Sequence, residues 1–272
     1  MGRPGECQGL TGSPAGAAKF QGRRADSDAI MRWSDDGIFL SGRPHGETSV
    51  IANILTRENG RTMGLVKGGR SRRLRPVLQT GNGVRAEWRA RLDHQLGVYT
   101  VELTEATAAR VLDDKLALAG VNSTVSLLLA LPERDPHPKL FDALKQCLAL
   151  AGSPSFPEWV TRFEVTLLDE LGFGLDLSKC AATGQADGLV YVSPKSGQAV
   201  SEMAGAPYRD KLLPLPAFLL DGTSLDAPSR REVAQGLAMT GYFLNAHVYA
   251  EHGKALPKAR EDFAILLEKE QR

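Results

Sequence analysis

Residues 66–76 read VKGGRSRRLRP, with five cations in the nine positions from Lys67 to Arg75 and no carboxylate among them. Lys67, Arg70, Arg72, Arg73 and Arg75 at that density suit contact with a polyanion. A guanidinium grips phosphate through paired N–H groups and also stacks on bases. Gly68 and Gly69 let the chain turn and let the backbone come close to a ligand. A charge run is ordinarily a solvated loop, but the glycines and the neighbouring strand patterns argue here for a groove that tracks phosphates. Such a groove reads charge and shape, not base sequence. Arg57, Arg61, Arg85, Arg89 and Arg91 extend the basic region as second candidates. From Arg57 to Arg91 ten Lys or Arg stand against two acids, Glu58 and Glu87. The whole chain of 272 residues has a net charge of only +1, which excludes a general cationic coat and leaves local clustering as the electrostatic device.

Other chemistry fails in context. Gly81-Asn82-Gly83-Val84-Arg85-Ala86 fits G-x-G-x-x-A, but a strand pattern follows where a dinucleotide site needs a helix. His45-Gly46-Glu47 carries the H-x-E of a zinc deaminase without the downstream P-C-x-x-C. There is no Walker A sequence. His247 and His252 are five apart, off one helix face. No Ser, Cys or His set has nucleophile-elbow or papain-like spacing. The expectation is a protein without catalytic site, metal or cofactor. Cys7, Cys147 and Cys180 give no disulfide framework and point to a reducing compartment. No apolar run reaches the ~20 residues of a membrane helix.

The elements that must carry the cations follow from periodicity. Residues 37–41, 48–56, 61–66, 84–92 and 97–103 are short strand patterns separated by glycine-bearing turns. Val84-Arg85-Ala86-Glu87-Trp88-Arg89-Ala90-Arg91-Leu92 alternates strictly, placing Trp88 and Leu92 on an apolar face and the arginines outside. Five strands in about 75 residues suit a small closed barrel of the OB type. Helical spacing then covers 106–118, 123–131 and 138–151. Ser155-Phe156-Pro157-Glu158 reads as a capping box, Trp159, Phe163, Leu167 and Leu171 as a core stripe, and Gly172 as a C-terminal cap. Residues 176–216 read as a loop-rich insertion with a hairpin-like piece at 189–192. Ser229-Arg230-Arg231-Glu232 opens a helix running to about Glu251, and a last helix covers 259–270. The fold class is therefore α+β: residues 31–105 an OB barrel, 106–272 a helical domain, and 1–30 either a disordered tail or a mis-assigned start, with Met31 the true one.

GIFLSGRPHGETSVIANILTRENGRTMGLVKGGRSRRLRPVLQTGN, residues 37–82, resembles the N-terminal domain of the RecO family of bacterial recombination mediators. The combination of G-I-x-L, H-G-E-T, T-x-x-x-G and V-K-G-G-R carries the likeness. FEVTLLDELGFGLDLSKCAATG (163–184) is similar to the family's central helix and the entry to its zinc module. FLNAHVYAEHGKALPKAR (243–260) resembles its C-terminal helices. The resemblance implies single- and double-stranded DNA as ligands and annealing of complementary strands, including strands coated with single-strand binding protein (SSB). It also implies partnership with the SSB C-terminal tail and with RecR, RecA loading as the indirect outcome, a role in DNA repair and recombination, and a cytoplasmic, nucleoid-associated location without membrane contact. The acidic, apolar-tipped SSB tail needs a cation beside an apolar cleft; Arg110, Lys115, Lys139 and Lys145 are candidates. The family's zinc module has two C-x-x-C pairs. Here they read Cys180-Ala181-Ala182-Thr183 and Ser201-Glu202-Met203-Ala204, so a degenerate, metal-free module is expected, with Cys180 a buried small residue. Two other readings stay open: an RNA-binding OB protein, and an adaptor whose basic loop docks an acidic protein.

Overall fold

Strict alternation over Gly83–Ala90 builds a strand with one wet face: Val84, Ala86 and Trp88 are buried while Arg85, Glu87 and Arg89 are exposed. The computed structural model describes residues 31–92, 95–220 and 227–269; the expected disordered tail at 1–30 lies outside them. Five strands, β1 (Met31–His45), β2 (Ser49–Thr56), β3 (Gly60–Val66), β4 (Gly83–Ala90) and β5 (Gly97–Glu105), close into a barrel in the order β1-β2-β3-β5-β4. All neighbours are antiparallel except β3 and β5. Closure depends on the length of β1. Its first half pairs with β4, from Met31 opposite Ala90, and its second half with β2, ending at His45 opposite Ser49, with a bulge between Phe39 and Ser41.

The first strand begins six residues before the expected Gly37. Arg32, Ser34 and Asp36 face solvent there, and their polarity hides the strand. Leu92 departs from expectation too: β4 ends at Ala90, and Leu92 lies beyond it, 47% exposed. Inside the barrel Phe39, Ile54, Val84, Trp88 and Tyr99 form one core. Trp88 stacks on Trp33 at 5.8 Å and donates its indole N–H to the Met63 carbonyl. It is therefore core, not a stacking platform for bases.

The helical half comprises α1 (Thr107–Arg110), α2 (Lys115–Leu127), α3 (Pro138–Ala149), α4 (Phe156–Glu170), α5 (Glu202–Gly205), α6 (Arg230–Phe243) and α7 (Lys258–Lys269). The expected helix over 106–118 is broken at residues 111–114, because Asp114 caps a new helix by accepting the Ala117 N–H. α2 then runs through the expected gap at 119–122. The capping box expected at Ser155 does not form. Ser155 is itself helical, its hydroxyl meets Ser153, and Glu158 bonds Arg162 instead. At the other end of α4, Gly172 adopts φ +83°, and the Phe173 and Gly172 N–H groups reach back to Leu168 and Asp169, a full Schellman closure. The box at Ser229 is complete. Past Phe243 the helix widens into a π turn over Leu244–Tyr249, where His247 stacks between Phe173 and Phe243.

Residues 176–216 carry β6 (Leu189–Val192), β7 (Ala199–Ser201) and β8 (Leu213–Pro214), ordered β7-β6-β8, with α5 following β7 in the chain. Leu189, Val192 and Ala199 join the helical core. So do Ile38, Leu40 and Leu55 of the barrel. The sequence of β2 is a nearly continuous apolar run because one side faces the barrel interior and the other meets the helices.

Candidate nucleic-acid interface

The basic stretch forms the first half of the β3–β4 connection, residues 67–82, and its fold follows from a pattern the cations obscure. Leu74, Val77 and Leu78 recur at helical spacing and pack against the barrel core. Successive turns bring them round: Ser71 N–H to Gly68, Arg75 to Ser71, and Val77 and Leu78 to Leu74. Gly68 takes φ +66°, and a Cβ on Gly69 would sit 2.9 Å from Val50, so only glycine lets the loop lie this close to β2. The apolar side is thus turned inward, and Lys67, Arg70, Arg72, Arg73 and Arg75 are all exposed.

Among the described residues none of these five forms an ion pair. Arg70 donates to the Glu47 carbonyl at 3.0 Å, which fixes its guanidinium beside the end of β1. Gln79 donates to the Arg75 carbonyl. The anchor that sequence reading missed is Asn82. Its buried amide donates to the carbonyls of Pro76 (2.9 Å) and Val77 (3.2 Å) and accepts the N–H of Ala108 (2.9 Å). One side chain therefore ties the cationic loop to α1. The only hint in the sequence is an Asn between two glycines, where the obvious reading is a turn.

The second set of arginines divides. Arg57 forms a two-pronged bond to Asp142 of α3 (3.0 and 2.9 Å) and also meets Glu58. Hydrogen bonding to Asp142, then to Glu58, holds its guanidinium well above the ordinary value, and Arg57 in turn holds the Asp142 carboxyl below its own. Arg61 is mostly buried, donates to the Leu131 carbonyl at 2.9 Å and lies 3.8 Å from Glu133. Beside it Gly60 (φ +64°) has the Asp135 backbone where a Cβ would go, and Arg134 donates its N–H to the Arg61 carbonyl. The Arg134 guanidinium lies over Trp88 at 5.4 Å. Arg57 and Arg61 thus point into the helical half. Arg85 pairs with Asp36 (2.8 Å) and Arg89 with Glu87 (3.2 Å), both at the surface, and Arg91 is exposed past the end of β4. The structure gathers the 67–75 cations on one loop, without an ion pair among the described residues, and leaves the strand-face arginines partly neutralised.

The chain matches two family models: "Recombination protein O N terminal" over residues 31–107 and "Recombination protein O C terminal" over 112–256. This chain belongs to the RecO family. Curated relatives named DNA repair protein RecO include one from Methylorubrum extorquens, 52% identical over 87% of this chain and 98% of the relative. The one from Mesorhizobium japonicum is 50% identical over 88% and 94%, and that of Rhodospirillum centenum 52% over 86% and 93%. The RecO N-terminal model coincides with the barrel and its basic loop, and the OB architecture is that of the family. No helix among the described residues is long and apolar enough to cross a membrane.

The RecO resemblance implies a zinc module, and the residues present do not fit that metal. Tetrahedral zinc takes four N, S or O ligands, with deprotonated Cys or His the usual set. At the four places stand Cys180, Thr183, Ser201 and Ala204. Cys180 is buried, and its Sγ lies 3.4 Å from the Ser201 Oγ and accepts the Ser201 N–H at 3.3 Å. Hydrogen bonds from Ser201 first and Thr183 next pull the thiol down to about 6. Ala204 offers no donor atom. Among the described residues no cluster of three His, Cys, Asp or Glu could hold a metal.

The four cations considered for the SSB tail are dispersed. Arg110 donates to the Leu148 carbonyl and meets Glu105 at 3.4 Å. Lys145 borders a cleft of about 190 Å³ between barrel and α3, while Lys115 and Lys139 are exposed at helix starts.

Proposed function

We propose that this RecO-family chain is a non-enzymatic DNA-binding mediator that anneals single strands, including strands coated with SSB, and that works with RecR to help load RecA. The observation that carries the reading is the 67–75 loop: five exposed cations, none ion-paired among the described residues, and an apolar underside that keeps them facing outward. Annealing requires two polyanions to approach. Cations on a held loop reduce their repulsion, and release of condensed counterions supplies much of the affinity. Double-stranded DNA presents the same phosphates and binds the same loop. Arg85, Arg89 and Arg91 extend the track, Arg85 and Arg89 after giving up their surface partners. Arg57 and Arg61 instead fasten the barrel to the helices.

The insertion at 176–216 is, in this reading, a zinc module that has exchanged its metal for a Cys180–Ser201–Thr183 hydrogen-bond cluster and packing on the helical core. The test of the DNA reading is single-strand binding across a salt series. Changing Arg70, Arg72, Arg73 and Arg75 together to Ala should lower the slope of log K against log salt by about 3, at ~0.7 per phosphate contact, and annealing should be lost with it. An unchanged slope would overturn the assignment. Loss of binding to an acidic protein with DNA binding intact would favour an adaptor, and preference for RNA over a matched DNA strand would favour an RNA-binding protein.

A further inference from the structure

A cleft of about 490 Å³ opens beside the basic loop, between β1, β2 and the β3–β4 connection. Its volume lies in the roughly 300–1,000 Å³ range of small-molecule sites. Phe39, Pro44, Val50 and Leu78 line it with apolar groups, Gln79 and Thr80 with polar ones, and Arg70 and Arg75 with charge. Pro44 is exposed and Val50 and Leu78 are half-buried, so apolar surface faces the opening. No carboxylate lines the cleft among the described residues. Arg70 is held in place by the Glu47 carbonyl, and the Arg75 backbone is held by Gln79.

We propose that this cleft receives one unpaired nucleobase of a bound DNA strand, with the adjoining phosphate on Arg70 and Arg75. The inference rests on the DNA reading of the loop and adds a preference to it. Two guanidiniums, four apolar side chains and the amide and hydroxyl of Gln79 and Thr80, with no carboxylate, match a nucleotide: a charged phosphate, a flat ring with a hydrophobic face and a polar edge. A base inside a duplex has both faces stacked and its edge paired, so it cannot enter. The cleft therefore favours single strands over duplex although both present phosphates. It also gives annealing a direction: once a base finds its complement it leaves the cleft, and the product is held by phosphate contacts alone.

The test compares the full-length protein's affinity for an oligothymidylate and for an abasic strand of equal length, which keeps every phosphate and removes every base. The intact strand should bind roughly tenfold more tightly, in line with the free energy of one base contact. That ratio should fall toward one in Leu78→Asn and in Pro44→Gln, the second at an exposed position that leaves the core untouched. Equal affinity for both strands in the unaltered protein would overturn the base site while leaving the arginine-dependent salt slope, and so the DNA reading, intact. A tenfold ratio that survives both substitutions would place base contact elsewhere and overturn the cleft. A slope indifferent to the arginines would remove the DNA reading itself.

Discussion

Replacing Asn82 with Ala separates the cations from what holds them. The substitution removes three hydrogen bonds, to Pro76, Val77 and Ala108, and leaves every charge in the chain unchanged. Each bond is worth about 1 kcal/mol net. The carbonyls of exposed Pro76 and half-buried Val77 can turn to water, but the Ala108 N–H is left at the barrel–helix junction, where an unmet donor costs about 1–3 kcal/mol. Ala108 is half-buried, so its donor takes the low end, about 1 kcal/mol, and with about 1 kcal/mol for each loop bond the sum is a loss of about 3 kcal/mol, which urea unfolding should register as a lower midpoint at unchanged m. DNA binding should weaken several-fold, because the loop must now be ordered on binding, while the salt slope stays at its original value because all the phosphate contacts are still made. A loss of stability below about 0.5 kcal/mol would show that the amide is not an anchor, since even one net hydrogen bond exceeds it. A slope that falls as in the quadruple arginine variant would show that Asn82 acts on the contacts themselves, and would refute the separation of holder from held.

Arg61→Ala should destabilise by about 1.5–3 kcal/mol through loss of the charged bond to Leu131 and leave the salt slope unchanged; a fall in slope would return Arg61 to the DNA track. Arg260 of α7 donates two buried hydrogen bonds to the Glu164 carboxylate (3.0 and 2.9 Å), with Thr240 as a third member. Arg260→Ala should therefore cost about 3–5 kcal/mol by stranding a buried carboxylate, and calorimetry showing an unchanged Tm would contradict this. The Cys180 thiol, depressed to about 6 from an ordinary value of about 8.5, makes the unfolded chain the stronger proton binder between those values. Its contribution to stability is whole above about pH 8.5 and drains as pH falls through about 6. The stability difference between the protein and Cys180→Ser should shrink along that window, and a pH-independent difference would refute the depressed thiol. Metal analysis should find no stoichiometric zinc, and one equivalent held tightly would overturn the metal-free reading of the insertion.

What could be read from the residues depended on how many faces each element buries. β4 has one dry side, and its alternation gave both the strand and the orientation of Arg85 and Arg89. β1 was visible only where both sides are covered, and its wet first half was lost. The Schellman closure at Gly172 and the box at Ser229 are local devices, and local patterns reveal them. Ser155 carries the same letters as a box but lies already inside a turn, so its hydroxyl meets Ser153. The cationic loop was legible by composition, whereas its inward Leu74-x-x-Val77-Leu78 edge was masked by the charges between. Nothing local distinguishes Arg57 and Arg61 from Arg72 and Arg73. The difference lies in Asp142 and Leu131, at least 70 positions away, and only the folded chain brings them together.

The shared core beneath β1 and β2 has a mechanical consequence. Ile38, Leu40 and Leu55 belong to the barrel by connectivity and to the helices by packing, and Gly60 leaves no slack against Asp135. A barrel cut free after Glu105 would carry that apolar patch into water and aggregate. In the intact chain the same patch denies the two halves a hinge. A load on the 67–75 side of the barrel is therefore carried into the helices, and anything held on one half keeps a fixed angle to the other.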